Sequence, residues 1–477
     1  MEAGGRRRTG SRRGNLRISL GRRRSVVIDV RRPEIARPRR ASPWYLVAGF
    51  ALLIAFGTLL LMLPLSTRDG HSPTFTTALF TATTAVCVTG LGVVDTRDYW
   101  SPFGQAVVLM LIQLGGLGFM TSSTLLLFAF RRRLSMRQRM IASETLGRLG
   151  AENVRQLIVR IVRATLAIEA AGAVTLIVVF GVADGPSLDA VWRGVFTAVS
   201  AFNNAGLDVE GGFSSFIGRR DNAPLLIVTS LLVVLGGTGY AVWSDVVRRP
   251  RLRRLALDTK IVLLTSAVLW TLGALVLLAV ETQRGGVLDG VAPANALLLA
   301  TAESVYTRTA GFTVMDPGGL GDETLLIIVG LMFIGGASAS TAGGIKVTTF
   351  STLLFAIIAS LRGAEHVTAF EREIPWPLIN RALSVALLSV AIVFTLSFMV
   401  AATSTRPFVE MLFEATSAFG TVGLSTGVTP ELTEPGRLVI IAGMFIGRLG
   451  PLTLALALIG RATRTQVRYA EEEVNIG

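Results

Sequence analysis

Four short stretches hold the residues whose types and spacing could do chemistry, and the chemistry is that of backbone oxygen. Val88-Thr89-Gly90, Asn204-Ala205-Gly206, Thr309-Ala310-Gly311 and Thr421-Val422-Gly423 each close a short apolar run that precedes a long one. To strip water from a cation, a site must present oxygens at hydration-shell spacing, which rings of backbone carbonyls do without fixed charge. Glycine lets the chain turn its carbonyls inward through backbone angles that a side chain penalises. The glycines lie 116, 105 and 112 residues apart (206 − 90, 311 − 206, 423 − 311), a period too long for a soluble solenoid. Four equivalent units suggest a ring about an axis, and carbonyls at that axis predict a filter for a dehydrated monovalent cation. Among the loop stretches only Arg308 adds a positive charge, so an anion is not expected; its expected partners are Glu303 or carbonyls behind the filter.

A second group predicts a gate. The apolar run from Glu323 to Leu361 has 39 residues (361 − 323 + 1), too many for one straight crossing. Its middle reads Gly335-Gly336-Ala337-Ser338-Ala339-Ser340-Thr341-Ala342-Gly343-Gly344, then Ile345 and Lys346. Four glycines among small residues cost a helix about 1 kcal/mol each relative to alanine. An intramembrane loop is expected there, placed to plug a pore and swing aside. Close helix packing through small residues is the other reading. Lys346 within the apolar run favours function, as does Arg448, which stands where the other copies have Gly116, Gly237 and Gly336. Arg448 is expected to face the loop and engage its carbonyls.

The elements that must position these groups follow from hydropathy. Runs long enough to span a bilayer occur at roughly 44–65, 103–130, 157–182, 223–247, 260–281, 324–361, 379–402 and 436–460. Between members of each pair lies a run too short to cross, such as Phe75 to Val86, read as a re-entrant half-helix. Each second helix carries a glycine motif: Gln113-Leu-Gly-Gly-Leu-Gly118, Val234-Leu-Gly-Gly-Thr-Gly239, Phe333-Ile-Gly-Gly-Ala-Ser338 and Phe445-Ile-Gly-Arg-Leu-Gly450. The expected fold is an all-α polytopic membrane protein: four parallel helix, pore-loop, helix repeats around a central pore, with eight spans and four half-helices. Their bounds are 43–133, 155–249, 257–362 (with the gating loop) and 378–462, flanked by a basic disordered arm over 1–42 and a tail over 463–477. Inverted repeats would alternate in direction; these do not.

The composition, 51% hydrophobic and 16% charged, excludes an ordinary water-soluble domain. A formal charge of +14 is concentrated in the arm and at the ends of helices, which points to membrane lipid and topology rather than nucleic acid. Arginine-rich segments alternate with arginine-poor loops and predict cytoplasmic termini in the cytoplasmic membrane. No signal peptide is read in the arm. Cys87 is the sole cysteine, which rules out an intrachain disulfide, and His71 and His366 are read as surface residues. No constellation of paired carboxylates, metal ligands or nucleophile with base suggests an enzyme.

Thr89-Gly90-Leu91, Asn203-Asn204-Ala205-Gly206-Leu207, Arg308-Thr309-Ala310-Gly311-Phe312 and Thr421-Val422-Gly423-Leu424, with Gly343-Gly344-Ile345-Lys346 and Phe445-Ile446-Gly447-Arg448, resemble the Trk/Ktr/HKT superfamily of potassium transporters. The likeness spans about residues 42 to 460. It implies a fourfold pseudosymmetric pore, homodimerisation and K+ uptake down the electrochemical gradient, with Na+ as activator in some Ktr systems and no organic cofactor. A glycine at the first filter position goes with potassium selectivity and a serine with sodium, so Gly90 implies potassium. Eight spans resemble the KtrB membrane subunits, and the partner implied is a cytoplasmic ring of nucleotide-binding RCK (KtrA-like) subunits. A sodium- or proton-coupled symporter is the alternative, with Glu169, Asp245 or Glu414 as carriers. Without that role, Glu169 and Asp245 are read as structural pairs or helix-end charges.

Overall fold

The computed structural model describes residues 16–18, 26–28, 44–131, 151–283 and 285–450. It divides into two units, residues 1–42 and 43–477. In the first, Leu16–Ile18 (β1) and Val26–Ile28 (β2) pair antiparallel. Five of these six residues are apolar and four are β-branched, types that favour strand. The remainder of the arm and the tail from 463 lie outside the described residues.

The second unit is helical. Its first repeat comprises α1 (Trp44–Leu61), α2 (Phe75–Cys87) and α3 (Pro102–Arg131). The second comprises α4 (Ala151–Asp184), α5 (Leu188–Asn203) and α6 (Ala223–Arg248). The third has α7 (Leu257–Glu281), α8 (Pro293–Tyr306) and a divided last helix, α9 (Asp322–Phe333) and α10 (Val347–Leu361). The fourth has α11 (Trp376–Ala401), α12 (Phe408–Gly420) and α13 (Glu434–Leu449). Among the described residues six helices are long and apolar enough to cross a membrane: α1, α3, α4, α6, α7 and α11. The other two expected spans differ for local reasons. The sixth is broken between Phe333 and Val347, and α13 is described over only 16 residues before the described chain ends.

The short helices α2, α5, α8 and α12 start with conventional signals. Thr74 and Ser187 accept backbone N–H bonds at the starts of α2 and α5, at 3.3 and 3.1 Å, and Pro293 opens α8. They are too short to span, and the last four residues of each are buried, so their C-terminal ends lie within the protein. Each packs on the last helix of the preceding repeat: α5 on α3, α8 on α6, α12 on α9 and α2 on α13. The final contact closes the ring.

Candidate ion-conducting site

The four loops after the short helices share one backbone pattern. Val88, Asn204, Thr309 and Thr421 have positive φ (56°, 60°, 98° and 49°), and so do Gly90, Gly206, Gly311 and Gly423, two residues on (102°, 70°, 73° and 102°). Alternation of sign keeps successive carbonyls on one side of the chain. Three of the four non-glycine residues are β-branched, types that seldom adopt this conformation; such strain persists where the surroundings over-determine it. Local bonds hold the bends: Thr84 Oγ1 accepts from Gly90 N and Ser417 Oγ from Gly423 N, both at 3.0 Å.

The glycines wall one another in sequence. A Cβ added at Gly90 would stand 2.6 Å from the Ala205 carbonyl oxygen, at Gly206 2.5 Å from that of Ala310, and at Gly311 2.5 Å from that of Val422. At Gly423 it would collide with the Thr89 carbonyl oxygen, completing the circuit from repeat four to repeat one. At all four positions a side chain would strain the backbone at positive φ and force a neighbouring carbonyl to shift. Among the described residues, no hydrogen bond ends on a backbone carbonyl of 88–90, 204–206, 309–311 or 421–423. Twelve oxygens are thus free to face a cation, with the negative C-terminal ends of α2, α5 and α12 behind them.

The ring floors a vestibule of about 430 Å³ lined by Asp95, Asp208 and Asp316. Burial, with Asp95 and Glu210 beside it, pushes the Asp208 carboxyl up to about 7. Behind the ring, Glu303 accepts from Val314 N (2.8 Å) and the Thr313 hydroxyl (3.1 Å), and Glu414 from the hydroxyls of Ser425 and Thr429 (both 2.6 Å). These carboxylates tie the outgoing limbs of loops three and four to their own half-helices. Loop two is held by a bidentate Arg193–Glu210 pair (2.6 and 2.5 Å).

On the other face of the ring lies the break in the sixth span, Ile334 to Lys346. Its neck is zipped, with Gly335 N donating to Ile345 O (2.9 Å) and Val347 N to Gly336 O (3.0 Å). The loop reaches the filter: Gly343 abuts the Thr421 side chain, and Thr341 Oγ1 donates to Asn204 Oδ1 at 2.9 Å. Arg448, buried and with no carboxylate partner among the described residues, donates to the carbonyls of Thr341 and Gly115, the latter at 3.2 Å. Its guanidinium lies 4.5 Å from the Phe119 ring centroid, and Lys346 Nζ lies 5.2 Å from the same centroid. Arg308 donates to Ile334 O (3.3 Å) and Gly335 O (2.7 Å), so of its two expected partners it takes carbonyls and leaves Glu303 to the loop.

Residues 35–463 match the family described as TrkH, cation transport protein. The chain belongs to that family. It is a membrane cation transport protein and not an enzyme. Ktr system potassium uptake protein B of Bacillus subtilis (strain 168) is 38% identical over 444 residues, 92% of this chain and 97% of that protein. Potassium/sodium uptake protein NtpJ of Enterococcus hirae is 37% identical over 450 residues, covering 92% and 98%. The crystal structure of the potassium transporter TrkH from Vibrio parahaemolyticus has the same fold, with a TM-score of 0.70 at 16% identity, covering 90% of this chain and 87% of that one.

In this TrkH-family chain all four expected filter stretches meet, and the expected loop, from Gly335 to Lys346, lies against two of them. Sequence reading left out the vestibule aspartates, although Asp95 and Asp316 both stand five residues beyond their glycine (95 − 90, 316 − 311). It also left out Phe119 and the cluster in which Glu169 accepts from Gln113 Nε2 (2.9 Å) and Asn203 Nδ2 (2.8 Å). Asp245 ends α6 and accepts from Ala256 N at 2.8 Å. His71 and His366 are exposed, and Cys87 is buried at the end of α2.

Proposed function

We propose that this chain takes up potassium across the cytoplasmic membrane, down its electrochemical gradient, through a channel-like pore. The carrying observation is the closed ring of four glycines with twelve carbonyl oxygens that accept no hydrogen bond from the described protein. Potassium is supported by the relatives named for its uptake and by the absence of a side chain at Gly90. The filter is formed by residues 88–90, 204–206, 309–311 and 421–423. Residues 335–344 with Lys346 form the gate, and Arg448 latches it. Asn204 and Thr341 face each other across that boundary. Symport receives less support, because Glu169, Asp245 and Glu414 are each engaged in hydrogen bonds that join elements of the fold.

Both termini are cytoplasmic in this reading, since Arg248, Arg251, Arg253 and Arg254 lie at the end of the molecule away from the acidic vestibule. The working assembly is a homodimer on a cytoplasmic RCK (KtrA-like) nucleotide-binding ring, with Na+ as an activator; the identity to proteins named as Ktr subunits supports it. The test is potassium uptake into proteoliposomes holding this chain alone, wild type against Gly90→Ser. Flux that reverses at the potassium potential and loses selectivity in the variant is expected. Flux that ignores voltage would refute the channel-like mechanism, and unchanged selectivity would refute the filter assignment.

A further inference from the structure

The amide of Asn204 touches three functional elements at once. Its residue closes α5 in the left-handed conformation, within the second filter loop. Oδ1 accepts the Thr341 hydroxyl of the gating loop at 2.9 Å, and Nδ2 donates to Thr309 Oγ1 of the third filter loop at 3.3 Å. Asn204, Thr309 and Thr341 are at most 1% exposed, so water does not compete for these bonds. The backbone of α6 encloses the knot: Thr341 N donates to Gly236 O at 3.3 Å, and a Cβ at Gly236 would stand 2.5 Å from Asn204 Oδ1. The amide has little room to turn while the loop is in place.

We infer that Asn204 is a positioning residue that makes the ion selectivity of the filter depend on the state of the gate. With the loop seated, Thr341 fixes the amide and the amide fixes Thr309, so loops two and three are held at one spacing. When the loop withdraws, Oδ1 loses its donor. A buried amide then turns toward a new partner and releases Thr309. The inference rests on the filter and gate assigned above.

The experiment measures the K+ and Na+ affinities of the full-length chain from ion-dependent shifts in Tm, in the state with the loop seated and Asn204 bonded to Thr341, and takes their ratio. Flux in proteoliposomes is measured for the loop-shortened variant. Thr341→Val removes one hydroxyl from the gating loop and is expected to lower the K+/Na+ ratio about fivefold, whereas Thr341→Ser leaves it within about twofold of wild type. Asn204→Ala combined with Thr341→Val should be no worse than Asn204→Ala alone, because both act through one knot. An unchanged ratio in Thr341→Val, or effects that add in the double variant, would overturn the coupling. If Thr341→Val does not yield folded protein, Thr309→Val replaces it. That variant keeps the acceptor for Thr341 on Asn204 and removes the acceptor that Thr309 offers to the Asn204 amide, so an unchanged ratio again overturns the inference. Shortening the 335–346 loop tests the gate separately. Raised flux beside an unchanged ratio in Thr341→Val refutes the coupling alone, and unchanged flux on shortening refutes the gate and the coupling with it.

Discussion

Repeats one, two and four meet their half-helices backbone to backbone, and repeat three does not. In repeats one, two and four a Cβ added at Gly115, Gly236 or Gly447 would collide with the carbonyl oxygen of Val86, Phe202 or Phe419, each four residues before the glycine of its loop. In repeat three the corresponding Gly335 packs instead on Gly343 of its own loop. There the link to the half-helix is the side chain of Arg308, reaching the carbonyls of Ile334 and Gly335. Backbone contact at that distance admits no displacement, because packed interiors transmit strain. A long side chain with several donors follows a moving partner. By this contrast three quadrants are joined by close backbone contact and one by a side chain, and the last carries the loop proposed as the gate.

The sharpest way to break this contrast is at a rigid contact. Gly236→Ala is expected to cost more than about 3 kcal/mol through overpacking and to abolish transport, seen as loss of monodisperse protein and a lowered Tm. Gly330→Ala on α9, where nothing lies within 4 Å of the new methyl, should instead stabilise by about 1 kcal/mol at most. Equal effects would end the distinction. Next in size is Arg448→Gln, which removes the charged donor to Thr341 and is expected to raise basal potassium flux about tenfold. Arg448→Lys should restore the seal only in part, since one ammonium cannot reproduce the planar fork that reaches Thr341 and Gly115 together. A fall in flux in both variants would count against the latch. Arg308→Met should give a smaller rise, about threefold, because the loop neck keeps its own backbone bonds.

The smallest expected effect concerns the vestibule. Asp208, held near 7 by burial and by neighbouring Asp95 and Glu210, is mostly charged at external pH 8 and mostly neutral at pH 6. Losing that negative charge should lower potassium uptake about twofold over this range, and Asp208→Asn should flatten the profile at the lower value. A variant that keeps the full pH dependence would assign it to another group.

The order of elements was legible in the sequence because bilayer thickness and helix rise set their lengths directly, and because the motif recurs four times. The sixth-span break was legible for a local reason: Gly335, Gly336, Gly343 and Gly344 argue against helix whatever surrounds them. The rigid contacts were not. That Gly115 meets Val86 while Gly335 meets Gly343 depends on how each last helix sits against its half-helix. Spacings of 25, 30, 24 and 24 residues (115 − 90, 236 − 206, 335 − 311, 447 − 423) hardly differ between the backbone-joined and side-chain-joined cases. The cluster of Gln113, Glu169 and Asn203 draws on three helices, so no local pattern announces it. The pairing of Leu16–Ile18 with Val26–Ile28 was not legible either, because composition averaged over an arginine-rich arm conceals two short runs of strand-forming residues.

The ring of glycines is written into one polypeptide rather than four identical ones. In a pore assembled from identical subunits, one codon changes four positions together, and an intermediate filter is out of reach. Here Gly90, Gly206, Gly311 and Gly423 are separate loci, each pressed against the carbonyl of a different neighbour. Drift at any one alters a quarter of the ring while the other three hold its diameter. A lineage with this architecture can change its ion preference in four graded steps, each open to selection by itself.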